Sequence, residues 1–171
     1  MFDLLPSPLH PAVVHLPIAL TLLLPLFALG AVLAIRRGAR PRNAWGLTLG
    51  LLLALVGSAW VATETGEAQE DRVEAVVGDA PIHTHEEAAE AFLLLAFGVL
   101  VVALPGLAAG RVGKIGRTAG LAGSVVLVGA GWNVGRSGGE LVYEHGAAAA
   151  YTQPGGDMTA GPISRSGEDD D

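Results

Sequence analysis

Five histidines, His10, His15, His83, His85 and His145, carry most of the chemistry open to this chain. Imidazole is the commonest side-chain ligand for transition metals, an axial ligand for haem iron, and a group that titrates near neutrality. His10 and His15 lie together in Leu9-His10-Pro11-Ala12-Val13-Val14-His15-Leu16-Pro17-Ile18. His83 and His85 lie in His83-Thr84-His85-Glu86-Glu87, where Glu86 adds a hard oxygen ligand. His145 closes Gly138-Gly139-Glu140-Leu141-Val142-Tyr143-Glu144-His145-Gly146. With no cysteine in the chain, disulfides, thiolate metal sites and a C-x-x-C-H attachment for covalent haem are excluded. No Ser-His-Asp arrangement or phosphate-binding glycine loop is present, and a net charge of −7 argues against a nucleic-acid partner.

Four apolar stretches must position these side chains: Ala12–Ile35, Ala44–Ala62, Ala88–Ala109 and Thr118–Val134. Crossing a bilayer takes about 20 mostly apolar residues. The first stretch has His15 as its only ionisable group, and the third has only Glu90, near its start. No amphipathic helices remain to wrap such segments in water. The fold class is therefore all-α, an integral membrane four-helix bundle with up-and-down connections. Its transmembrane domain covers residues 1–147, and residues 148–171 form an acidic, disordered tail outside it.

Charge sets the orientation. Arg36, Arg37, Arg40 and Arg42 separate the first two stretches, and Arg111, Lys114 and Arg117 separate the last two. These short segments hold seven of the ten basic residues and none of the 17 acids. Short loops rich in Arg and Lys stay cytoplasmic. Both termini, the middle loop and all five histidines are thus expected at the outer, periplasmic side of a bacterial inner membrane. The middle loop has room for a short surface helix over Glu67–Val77, broken by Gly78-Asp79-Ala80-Pro81 before His83. Pro17 and Pro25 should kink the first span. Gly46-x-x-x-Gly50 and Gly131-x-x-x-Gly135 suggest close helix approach, and Trp45, Trp60 and Trp132 suggest interfacial anchors.

His15 is the sharpest candidate, since ionisable groups inside spans usually face the bundle interior. His15 and His85 form the expected axial pair for b-type haem. His10 and His145 form a second pair or hold the first by hydrogen bonds, and Arg136 answers a propionate. Residues two apart on a helix point to opposite sides, so His83 should not share an interior site with His85. A second set, His83, His85, Glu86 and His145, with His15 nearby, fits copper or zinc. A third reading keeps the bundle as a structural subunit without a cofactor, its histidines responding to pH.

The motifs H-P-x-x-V-H-x-P and G-G-x-L-V-Y-x-H-G, with the histidines before the third span, resemble a bacterial family of multi-pass membrane proteins, the domain of unknown function 2231. The resemblance covers about Leu9–Gly146. It implies a membrane protein with no assigned activity, and, through relatives associated with cytochromes and other redox modules, a role in electron transfer. The expected partners are the lipid bilayer and a cytochrome or other redox complex. The expected function is that of a redox-associated membrane protein, with electron transfer or a structural role ahead of enzymatic activity.

Overall fold

A computed structural model describes residues 8–152. The first hydrophobic helix is split. A single turn, α1 (His10–Val13), is separated at Val14 from α2 (His15–Arg36). Pro17 accounts for the break: it has no N–H for the Val13 carbonyl, and its ring crowds that carbonyl. Pro25 lies within α2 without ending it. Pro41 opens α3 (Pro41–Glu67), a position where its missing donor costs nothing. The middle connection forms α4 (Glu70–Val77), which ends at Gly78 with φ 77°, a conformation that glycine adopts without a Cβ clash. Then follow α5 (Asp79–Ala103), a 3₁₀ turn at Leu104–Leu107, α6 (Gly110–Tyr143) and a short α7 (Ala149–Thr152).

The long helices form a closed four-membered ring: α2 meets α3 and α6, and α5 meets the same two. Leu24, Ala28, Leu52, Leu55, Ala96 and Leu127 fill the centre. Leu22, Leu26, Leu53, Leu94 and Val125 point outward and are exposed. A bundle apolar both inside and out belongs in hydrocarbon, and four of its helices are long and apolar enough to cross a membrane. The fold class expected from sequence is the one observed.

The helices outrun the apolar stretches at the histidine-bearing end. α3 continues to Glu67, α5 begins at Asp79, before His83, and α6 runs on to Tyr143. At the arginine-bearing end the second basic segment is helical, not looped, because α6 starts at Gly110. Arg117 is buried there, and its Nη1 donates to the carbonyls of Gly106 (2.6 Å) and Ala108 (3.0 Å). Those carbonyls belong to the turn between α5 and α6, where helical partners run out.

Trp45 is a correction to the interfacial expectation. It is fully buried, and its Nε1 donates to the Ala103 carbonyl at 2.9 Å. A Cβ at Gly106 or Gly120 would fall 2.2 Å or 2.8 Å from the indole ring, so these glycines make the space it occupies. Trp60 and Trp132 are exposed, as anchors should be. The G-x-x-x-G pairs fare unevenly. Gly46, Gly50 and Gly135 face open space, and Gly131 alone meets neighbours, Thr21 and Phe92. The true seam of α6 is Gly113, Gly116, Gly120 and Gly123, pressed on the α5–α6 turn, Trp45, Ala103 and Val99.

Candidate functional site

At the histidine-bearing end, the break at Val14 sets α1 against α3. His10 Nδ1 lies 2.8 Å from the Ala62 carbonyl of α3. A carbonyl only accepts, so Nδ1 carries the proton and Nε2 keeps its lone pair. Across the bundle mouth, α5 directs His85 inward, with Nδ1 2.9 Å from Ser137 Oγ of α6. The two rings are edge to face, their centroids 6.3 Å apart and their planes at 86°. Glycine again makes the fit. A Cβ at Gly66 would stand 3.3 Å from the His10 ring, and one at Gly138 would stand 3.0 Å from the His85 ring.

Beside the pair opens a pocket of about 260 Å³. Its walls are the two histidines, Thr63, Gly66 and Ala89, with the carboxylates of Glu67, Glu70, Glu86 and Glu90. α3, α4 and α5 each contribute to this acidic lining. Among the described residues, no three of His, Asp and Glu already converge as a metal cluster. What the structure presents is a pair of imidazoles from different helices beside a strongly negative pocket.

Residues 6–150 match the family described as "Predicted membrane protein (DUF2231)". The chain belongs to the DUF2231 family. No curated protein and no solved structure matches it.

The other candidate residues of this DUF2231 protein are dispersed. His15 follows the break, on α2, is exposed, and lines neither described pocket, so His10 takes the place beside His85 that sequence reasoning gave to His15. His10 and His15 are five positions apart, which on a helix turns them about 140° from each other, so both cannot face the bundle mouth. His83 points away from His85, as the helical spacing requires, and reaches Glu87 at 3.6 Å with both side chains exposed. His145 is exposed and lines a second pocket with Ala80, Pro81, Thr84, Ser137 and Glu140. Arg136 is paired with Glu140 at 2.6 Å, one turn along α6. Glu86 lines the first pocket.

A strap covers this end. Ala147 is buried against Ile82 and Leu141, with Val73 and Val77 of α4 packed around them. Arg72 Nε donates to the Ala150 carbonyl at 2.8 Å, and its guanidinium lies 4.9 Å from the Tyr151 ring centroid. Tyr151 donates from its hydroxyl to Gln69 Oε1 at 2.6 Å. Burial raises the Tyr151 pKa and Arg72 partly opposes the shift, so the hydroxyl stays a donor. Of the tail expected from Ala148 onward, the first residues thus form α7; the rest lies outside the described residues.

Sequence reasoning missed Ser137, Gly66, Gly138 and the wall carboxylates Glu70 and Glu90. The signal for Ser137 was present: it lies one turn beyond Val134, where the apolar stretch ends but a helix need not.

Proposed function

We propose that this protein holds one transition-metal centre between His10 and His85 and serves electron transfer in the membrane. The observation that carries this is the pair itself: two imidazoles from separate helices, each with Nδ1 engaged in a hydrogen bond to the protein. Protein partners at the far ring nitrogen are the usual support of a metal-bound histidine. With metal–nitrogen bonds of about 2 Å, imidazoles on opposite sides of one metal have centroids roughly 6 Å apart. The 6.3 Å separation of the rings is of that order, and binding would require the edge-to-face pair to turn so that both Nε2 atoms point at the metal.

Iron in b-type haem suits the pair best. It asks the protein for two axial ligands only, and two imidazoles leave no open position for oxygen chemistry. Seating a porphyrin requires the pocket to widen, since 260 Å³ is below the roughly 300–1,000 Å³ of cofactor sites. A bare copper or zinc ion is the second reading, favoured by the small volume and by four carboxylates that attract a cation.

The orientation that sequence charge implies puts this site at the periplasmic side of the inner membrane, within reach of a soluble or membrane-bound redox partner. The test is an absorption spectrum of detergent-purified protein after expression with ample haem, together with elemental analysis. Haem gives a Soret band and, on reduction, a sharp α-band of six-coordinate iron, lost in His10→Ala and in His85→Ala. Stoichiometric copper or zinc in a colourless protein assigns the bare ion. Neither haem nor metal in the wild type overturns both.

A further inference from the structure

Ser137 is the one side chain that both touches a histidine of the pair and is itself buried on α6. Its Oγ lies 3.0 Å from the Val134 carbonyl and 2.9 Å from His85 Nδ1. A hydroxyl has one proton to donate, and the Val134 carbonyl is able only to accept. With the Ser137 proton on Val134, the lone pair left on Oγ is open to the proton of His85 Nδ1. The chain of bonds runs in one direction, from imidazole to hydroxyl to backbone.

We propose that Ser137 is a positioning residue that locks His85 as the Nδ1–H tautomer and so keeps Nε2 bare for a ligand. Gly138 completes the device: a side chain there would stand 3.0 Å from His85 Cε1 and force the ring to shift by a few tenths of an ångström. The two imidazoles are held unequally. His10 donates to a backbone carbonyl that no substitution removes, whereas the His85 lock depends on a single side chain. His85 is therefore the adjustable ligand of the pair.

This inference rests on the bis-imidazole reading for its consequence in the loaded protein, but the tautomer lock is measurable without any metal. The experiment is ¹⁵N NMR of histidine-labelled protein in detergent, above the usual imidazole pKa of about 6.5 so that the rings are neutral. Wild type is expected to show His85 protonated at Nδ1 and bare at Nε2. Ser137→Ala and Gly138→Ala are expected to release it to a mixture of tautomers, and Ser137→Thr, which keeps the hydroxyl, to retain the lock. A thermal midpoint for each variant separates the lock from loss of the fold. In loaded protein, Ser137→Ala should weaken metal or haem binding about 10–100-fold, with Ser137→Thr close to wild type. His85 protonated at Nε2 in the wild type, or an unchanged tautomer in Ser137→Ala, overturns the proposal. A wild type that takes up neither haem nor metal sinks the bis-imidazole reading instead, while the tautomer result still decides the role of Ser137.

Discussion

Exchanging one glycine of α6 for alanine should have opposite effects at two positions. At Gly116 an added Cβ would stand 2.5 Å from the Gly106 nitrogen and 2.9 Å from the Pro105 carbonyl carbon. Both are backbone atoms of the α5–α6 turn, already pinned by Arg117, so no rotamer relieves the overlap. At Gly135 the added Cβ meets nothing within 4 Å. Alanine is a better helix former than glycine by about 1 kcal/mol, a gain available at both sites. Overpacking costs about 1–3 kcal/mol, and only Gly116 incurs it. Gly135→Ala should therefore stabilise by up to about 1 kcal/mol. Gly116→Ala should destabilise by up to roughly 2 kcal/mol after the helix gain is subtracted. For a chain of this size each kcal/mol moves the unfolding midpoint about 2–4 °C. Thermal unfolding in one detergent, with both variants beside wild type, reads the difference. Equal midpoints for the two variants, or a loss at Gly135 alone, would refute the packing seam and restore the Gly131-x-x-x-Gly135 face.

His15→Ala should leave haem or metal content unchanged whereas His10→Ala abolishes it, as read by absorption and elemental analysis; equal losses would return His15 to the site. Trp45→Phe removes the donor to the Ala103 carbonyl and should lower stability by about 1 kcal/mol in the same thermal assay. Arg117→Met removes two charge-assisted bonds to the α5–α6 turn and should cost roughly 1.5–3 kcal/mol by the same measure. The raised pKa of Tyr151 means that its neutral form stabilises the strap fully below the ordinary tyrosine value of about 10, and that this contribution fades as pH rises through the folded value. Limited proteolysis within residues 147–152 should accelerate above that pH in the wild type, whereas Tyr151→Phe, which has no ionisable hydroxyl and lacks the bond to Gln69, should be cut faster at every pH without that step.

The hydropathy of the chain was enough to show four spans, since runs such as Leu22-Leu23-Leu24-Pro25-Leu26 have few other destinations. Their ends were not legible. Glu67, assigned to the surface helix of the middle loop, belongs to α3, and His83 lies inside α5, because both helices extend past their apolar stretches. The same limit hid Ser137, which lies just beyond Val134, where the last apolar stretch ends. His85 and Glu86 were placed from local sequence, because helical spacing alone separates them from His83. The partner of His85 depended on which face of the first helix turns inward, and the apolar sequence around His10 and His15 carries no pattern that says which. Trp45 was misjudged because its burial depends on glycines more than sixty positions away, a long-range complementarity that no local pattern reveals.

The length of α6 bears on how the site could change charge. Its 34 residues span about 50 Å at the usual helical rise, against about 30 Å of hydrocarbon. Roughly 20 Å of helix must then stand in the headgroup layers or in water, and Ser137 lies within two turns of the end. The histidine pair is thereby lifted towards the wet boundary, into a zone where lipid headgroups and water still solvate ions. A centre buried at mid-membrane would resist every gain or loss of an electron, because the new charge would sit in oil. For the redox centre proposed here, the overhang of one helix would let the surroundings relax around either oxidation state, the bundle acting as a pedestal that sets the depth, and with it the polarity, of the site.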